Sequence, residues 1–168
     1  MKKVMLTMVA ALLMTACATL TPEEKAAREA ERVKNVREAV GTQNYRISVN
    51  TMKPMRGSSH SVFDSGLIVE GNSVVCHLPY AGLDDIPHPK TRYEVRQDSK
   101  LEFKSDIENY LLEIQPEKKR GIITFKADDA GRKYEFHIVI ENDGDALIRV
   151  IPEGRDYIEY EGTINSLK

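Results

Sequence analysis

The chain has 168 residues, with 24 basic against 26 acidic side chains, two cysteines and no tryptophan. That length carries one hydrophobic core and hardly two. The slightly acidic balance excludes nucleic-acid binding, which needs clustered Lys and Arg to neutralise phosphates; the one short basic cluster, Lys118-Lys119-Arg120, stands directly before Gly121 in a turn.

Residues 1–16 read as a secretory signal peptide. Lys2 and Lys3 precede an uncharged run from Val4 to Leu13, and small residues follow. A membrane span would need about 20 apolar residues, and Thr21, Glu23 and Glu24 arrive too soon. Thr15-Ala16-Cys17 resembles the bacterial lipobox, whose thiol receives a diacylglyceryl group before cleavage. The resemblance implies that Cys17 is the first residue of the mature protein and the point of lipid attachment. Each buried methylene contributes about 0.8 kcal/mol, so several acyl chains hold stably where one holds marginally. Behind Cys17 come Ala18, Thr19, Leu20 and Thr21. Surface-exported lipoproteins of some Gram-negative groups carry an acidic cluster there, so its lack favours an outer-membrane protein facing the periplasm. With Cys17 acylated, Cys76 has no partner within the chain and reads as a small core residue between Val74 and Leu78. A disulfide between the two cysteines is the competing reading.

Residues 17–41 form the lipidated cysteine and a tether or lid helix. Thr21 can cap it, Pro22 suits the first helical position, Glu24 completes a capping box and Gly41 is a natural stop. Ala26, Ala30, Val33, Val36 and Val40 make a narrow apolar stripe among charges.

Residues 42–168 form a single domain in which the period switches to two. Tyr45, Ile47 and Val49 alternate with polar residues, as do Tyr110, Leu112 and Ile114, then Tyr134, Phe136, Ile138 and Ile140. Ala146, Ile148 and Val150, then Ile158, Tyr160 and Ile164, complete the series. Turn signals at Gly71-Asn72, 128–131 and 142–144 are short enough to make the flanking strands antiparallel. About eight or nine such strands exceed what one helix covers, so the sheet must close on itself or fold into two layers. The predicted fold is all-β with one N-terminal helix: an antiparallel up-and-down β-barrel-like domain of lipocalin-like topology, with a two-layer β-sandwich as the alternative. Without tryptophan, the Gly-x-Trp element of lipocalins is missing. Tyr45, Phe63, Leu67, Tyr80, Phe103, Tyr110, Phe125, Phe136 and Tyr160 fall in the apolar phase, which suits a packed core or a pocket for a small apolar ligand.

At Leu78-Pro79-Tyr80-Ala81-Gly82 the chain resembles a known family. Tyr45-Arg46-Ile47-Ser48-Val49 leads into Met52-Lys53-Pro54-Met55-Arg56-Gly57, and Glu70-Gly71-Asn72 supplies a hairpin turn. Asn142-Asp143-Gly144-Asp145-Ala146 and Ile158-Glu159-Tyr160-Glu161-Gly162 follow. From the helix to the last strand, the pattern resembles Bacteroidetes envelope lipoproteins grouped as domain of unknown function 4251. The resemblance implies a β-barrel-like fold and an envelope address; it transfers no activity and no catalytic residue.

Pro79 cannot donate to a strand ladder and Gly82 permits a sharp turn. The loop that follows, with Asp84, Asp85 and His88, then crosses one end of the barrel, where ligands enter. Leu78, Pro79, Tyr80, Gly82, Asp84, Asp85 and His88 are therefore the candidate ligand site, with a structural corner as the plain alternative. Asp84, Asp85 and His88 suit a divalent ion in principle, but Pro87 and Pro89 break the loop and no second histidine is closely spaced, so no metal and no cofactor is expected. Ser58, Ser59 and His60 lack a strand–Ser–helix elbow. The expected role is a non-catalytic binding or envelope-maintenance module, held to the membrane through Cys17. Its expected partner is a small apolar ligand inside the barrel or an envelope protein. A hydrolase using the loops of His60 and His88 is the alternative from another class.

Overall fold

In the computed structural model, which describes residues 21–82 and 99–167, the alternating segments form nine strands after one helix, α1 (Pro22–Gly41). The strands are β1 (Asn44–Pro54), β2 (His60–Glu70), β3 (Ser73–Tyr80), β4 (Ser99–Asp106), β5 (Glu108–Gln115), β6 (Arg120–Asp129), β7 (Arg132–Glu141), β8 (Asp145–Pro152) and β9 (Ile158–Ser166). The described chain divides after Glu31 into two units. The first holds the opening turns of α1, where the capping box forms as the sequence requires. The Glu24 N–H donates to Thr21 Oγ1 at 3.2 Å and the Thr21 N–H donates to Glu24 Oε2 at 2.9 Å.

The second unit begins at Arg32. In it the last turns of α1 bury Ala39 and Val40 and half-bury Val33 and Val36. Tyr110 Oη donates to the Val40 carbonyl at 3.2 Å. Only about 20 Å³ remains between Val36 and Val40 and the facing Ile114, Gly121 and Ile140. That is room for about one water. The upstream alanines of the predicted stripe, Ala26 and Ala30, are exposed.

All strands join one sheet in the order β4-β3-β2-β1-β9-β8-β7-β6-β5, and every neighbouring pair is antiparallel. Every pair of consecutive strands is hydrogen-bonded except β4 and β5, and β1 pairs with β9. The meander is therefore zipped where the first and last strands meet and open between β4 and β5. The result is a curled half-barrel, a single sheet rather than a sandwich. Ile107, the one residue between β4 and β5, is buried, and its N–H donates to the Asn72 carbonyl at 2.7 Å. That bond turns the chain at the end of β4, so β5 leaves without pairing.

Irregular pairing and close approach meet at β1. Both of its pairings shift register between Val49 and Thr51: against β9 Asn50 is the extra, bulged residue, while against β2 the extra residues lie on β2. Gly66 of β2 lies opposite Ser48, and Gly162 of β9 lies opposite Val49. A Cβ at Gly66 would stand 2.5 Å from the Ile47 oxygen, and one at Gly162 would stand 2.1 Å from the Ser48 oxygen. Only glycine on both flanks lets the sheet close this tightly around β1.

Inside the curl, rings run from one side to the other. Phe103 of β4 stacks on Tyr134 of β7 at 4.6 Å and meets Phe136 edge-on at 6.5 Å. Phe136 stacks on Phe125 at 4.7 Å, and Phe125 on Tyr110 at 6.1 Å. Side chains thus bridge the side that backbone hydrogen bonds leave open. Tyr45, Leu67, Tyr80 and Tyr160 are buried as the alternation requires, but Phe63 is not: it is 84 % exposed. Alternation holds only while each residue opposes one partner, and β2 breaks that rule at Phe63. Thr51 pairs with Ser61 and Val49 with Ser65, so Val62, Phe63 and Asp64 together face the single residue Asn50. The phase slips across this bulge and Phe63 turns outward.

Candidate functional site

The Leu-Pro-Tyr-x-Gly element ends β3, and its side chains separate into two roles. Leu78 and Tyr80 point into the core, 1 % and 2 % exposed. Tyr80 Oη donates to the Asp156 carbonyl at 2.9 Å, and the Arg155 guanidinium lies 5.2 Å from the Tyr80 ring centre. Asp156 is buried and faces Arg56 Nε at 3.6 Å. Gly82 is required by close approach, because a Cβ there would stand 2.3 Å from Tyr80 Oη. Leu78, Tyr80 and Gly82 therefore build a structural corner that ties the end of β3 to the segment before β9. Asp84, Asp85 and His88, and likewise Cys17, lie outside the described residues.

Pro79 does something else. It has no N–H, and its carbonyl accepts a hydrogen bond from Tyr160 Oη at 2.7 Å. The pairing of β2 with β3 stops just before it, at Gly66 and His77. Beyond that point β2 swings away through its bulge. Asp64 adopts a left-handed φ of 49°, and Ser65 Oγ donates to the Phe63 carbonyl at 2.9 Å, which holds the turn. A non-glycine residue in that region costs on the order of 1 kcal/mol, so packing and hydrogen bonding around the bulge must hold it there.

The parting of β2 and β3 leaves an open groove of about 320 Å³. Val62, Phe63 and Pro79 give it apolar walls. Ser61, Ser65, His77, Lys100 and Glu102 give it a polar rim. Glu102 Oε1 lies 3.0 Å from His77 Nδ1 and 3.5 Å from Lys100 Nζ. All three rim side chains are about half exposed, so these contacts contribute little to stability and orient the rim rather than hold the fold.

The remaining titratable groups are placed less suggestively. Ser58, Ser59 and His60 stand exposed at the β1–β2 connection, with His60 opposite Met52. His137 faces solvent beside Glu135, its Nε2 at 3.4 Å, as its place in the alternation requires. Arg149 and Glu159 pair across β8 and β9 on the outer face, and Lys53 meets Glu161 nearby. Among the described residues no three His, Cys, Asp or Glu side chains converge as metal ligands would.

Cys76 lies in the core at 2 % exposure. Burial pushes its thiol up, the nearby charge of Asp129 adds to this, and the thiolate is correspondingly disfavoured. In the unfolded chain a cysteine ionises at about pH 8.5. The folded protein keeps the proton above that pH while the unfolded chain loses it. The stability that the buried thiol contributes is complete below about pH 8.5 and is lost as the pH rises beyond it, by about 1.4 kcal/mol per unit. Urea titrations at pH 7 and pH 10 are expected to show this loss in the parent chain and a smaller one in Cys76→Ala. Native protein is expected to resist iodoacetamide at pH 8 and to react at Cys76 once unfolded.

The groove was only half visible in the sequence. The Leu-Pro-Tyr-x-Gly motif marks Leu78 and Pro79, but nothing in it points to Val62, Phe63, Ser65 or Glu102. The signal that could have found them is Asp64-Ser65-Gly66, three turn-forming residues inside a strand and a mark of a bulge.

The family described as "Domain of unknown function (DUF4251)" matches residues 27–164. Among solved structures, the fold resembles the crystal structure of a DUF4251 family protein from Bacteroides eggerthii DSM 20697, with a TM-score of 0.65 at 11 % identity. The match covers 83 % of this chain and 91 % of that one, and at such identity it speaks for the fold alone. No curated protein matches. Both the matched span and the shared half-barrel agree with the motifs read from the sequence, and the chain belongs to the DUF4251 family.

Proposed function

We propose that this protein is a lipid-anchored, non-catalytic module of the cell envelope that binds through its outer surface and not through the hollow of its sheet. One observation carries the choice of surface: among the described residues, packed aromatic rings span the interior. The ring contacts from Tyr134 through Phe103, Phe136 and Phe125 to Tyr110 occupy the space that a carrier would need for an apolar ligand. The envelope address rests on the signal peptide and on Cys17 in its lipobox-like setting. The outer-membrane, periplasm-facing placement rests on the uncharged residues behind that cysteine.

The anchor is tested by expressing the whole chain and Cys17→Ala in a Gram-negative host fed an alkyne-bearing palmitate analogue. The parent protein is expected in the membrane fraction carrying the label. The variant is expected to be unlabelled and released from the membrane. Unlabelled parent protein in the soluble fraction would remove the anchor from this reading.

A further inference from the structure

We infer that the groove between the splayed ends of β2 and β3 is a ligand site for an uncharged amphiphile, one with an apolar body and hydroxyl or amide groups along one side. This deepens the surface-binding reading above and rests on it.

Three features of the groove point the same way. First, it is held open by residues on both of its walls. On β2, three residues oppose one of β1, Asp64 takes a left-handed turn and Ser65 ties it to Phe63. On β3, pairing with β2 ends at His77 while Pro79 stays paired to Lys100 of β4, and Tyr160 secures the Pro79 carbonyl. A parting of strands fixed at four positions is not fraying. Secondly, the bulge presents Phe63 at 84 % exposure beside Val62 and Pro79. A large ring held in water by a strained turn is an anchor awaiting an apolar partner surface. At about 320 Å³ the groove falls at the small end of ligand sites.

Thirdly, the rim selects the chemistry. Lys100 and Glu102 are opposite in sign and 3.5 Å apart, so their fields cancel and neither an anion nor a cation is favoured. Together with His77, Ser61 and Ser65 they still offer donors and acceptors to hydroxyl or amide groups. An added strand is disfavoured as occupant. Pro79 has no N–H to donate and its carbonyl already accepts from Tyr160, so at this position β3 offers an added strand neither backbone group. What remains is recognition by side chains, apolar at the wall and uncharged in sum at the rim.

The probe is n-octyl-β-glucoside below its micelle concentration, titrated into the whole chain and followed by amide chemical shifts. Octanoate and glucose serve as comparisons. Saturable shifts centred on Val62, Phe63, Ser65, His77 and Glu102 are expected with octyl glucoside. Octanoate, with nearly the same chain but a charge, is expected to bind about tenfold more weakly, and glucose is expected to produce no saturable shifts. Phe63→Ala, at a site too exposed to threaten the fold, is expected to weaken octyl glucoside binding about tenfold. Glu102→Gln unbalances the rim by one positive charge and is expected to raise the affinity for octanoate relative to octyl glucoside. Equal binding of octanoate or glucose, an unchanged affinity in Phe63→Ala, or an absence of shifts at the groove would each overturn the site. Saturable shifts elsewhere on the surface would overturn it while leaving the wider surface-binding reading intact.

Discussion

Phe136→Ala is expected to destabilise the second unit by about 3–5 kcal/mol, the range for removing a fully buried aromatic side chain. Phe136 is fully buried and stacks on Phe125 at 4.7 Å with ring planes 13° apart, while Phe103 approaches its edge at 6.5 Å. Its removal takes away the contact through which Phe103 of β4 reaches Phe125 of β6 across the unpaired side of the sheet. Neighbours cannot collapse into the gap without drawing β4 and β6 inward. Small domains hold about 5–15 kcal/mol in total, so the variant is expected to unfold at a much lower urea concentration. Equilibrium urea denaturation followed by circular dichroism measures the change. A loss below about 1 kcal/mol would mean that the rings are loosely packed around usable space. That outcome would return the interior to consideration as a ligand site.

Gly162→Ala is the second large effect, and its cause is backbone rather than side chain. The added methyl would stand 2.1 Å from the Ser48 oxygen, 2.9 Å from its carbonyl carbon and 3.0 Å from the Val49 Cα. All three atoms belong to the main chain of β1, so no rotamer change relieves the clash. Overpacking of this kind costs about 1–3 kcal/mol and more when backbone must move. A stiffer unfolded chain returns about 0.4–1 kcal/mol, so the net loss is expected to be about 2 kcal/mol or greater. Gly66→Ala presses on β1 from the other side, at the Ile47 oxygen. Because both changes displace one strand, their effects are expected not to add. Gly41→Ala is the control, with nothing within 4 Å of the new methyl, and its midpoint is expected at or somewhat above the parent value. An unchanged midpoint in Gly162→Ala would show that the sheet does not depend on this pinch for its curl.

The same glycines mark how far the residues could be read unaided. Alternation placed Tyr45, Ile47 and Val49 on the inner face, and likewise Phe136, Ile138 and Ile140, because in an uninterrupted strand the side-chain period is two whatever its neighbours are. It misplaced Phe63, because the period is reset where three residues oppose one, and that count belongs to a pairing rather than to a strand. Leu-Pro-Tyr-x-Gly stood out as unusual. Whether it was a corner or a site depended on Tyr160 and Asp156, far along the chain. Both descriptions apply to different atoms of the same five residues: Tyr80 and Gly82 make the corner, and Pro79 makes one wall of the groove.

Composition, the capping box and the period-two segments are local properties, and local sterics and burial suffice to turn them into a helix and antiparallel strands. The seam between β4 and β5, the packed rings of the interior and the groove beside Phe63 arose only when distant segments met. Each depends on which backbone donors find acceptors and which rings touch across the sheet, and these are energies between positions that alternation within a single strand does not encode.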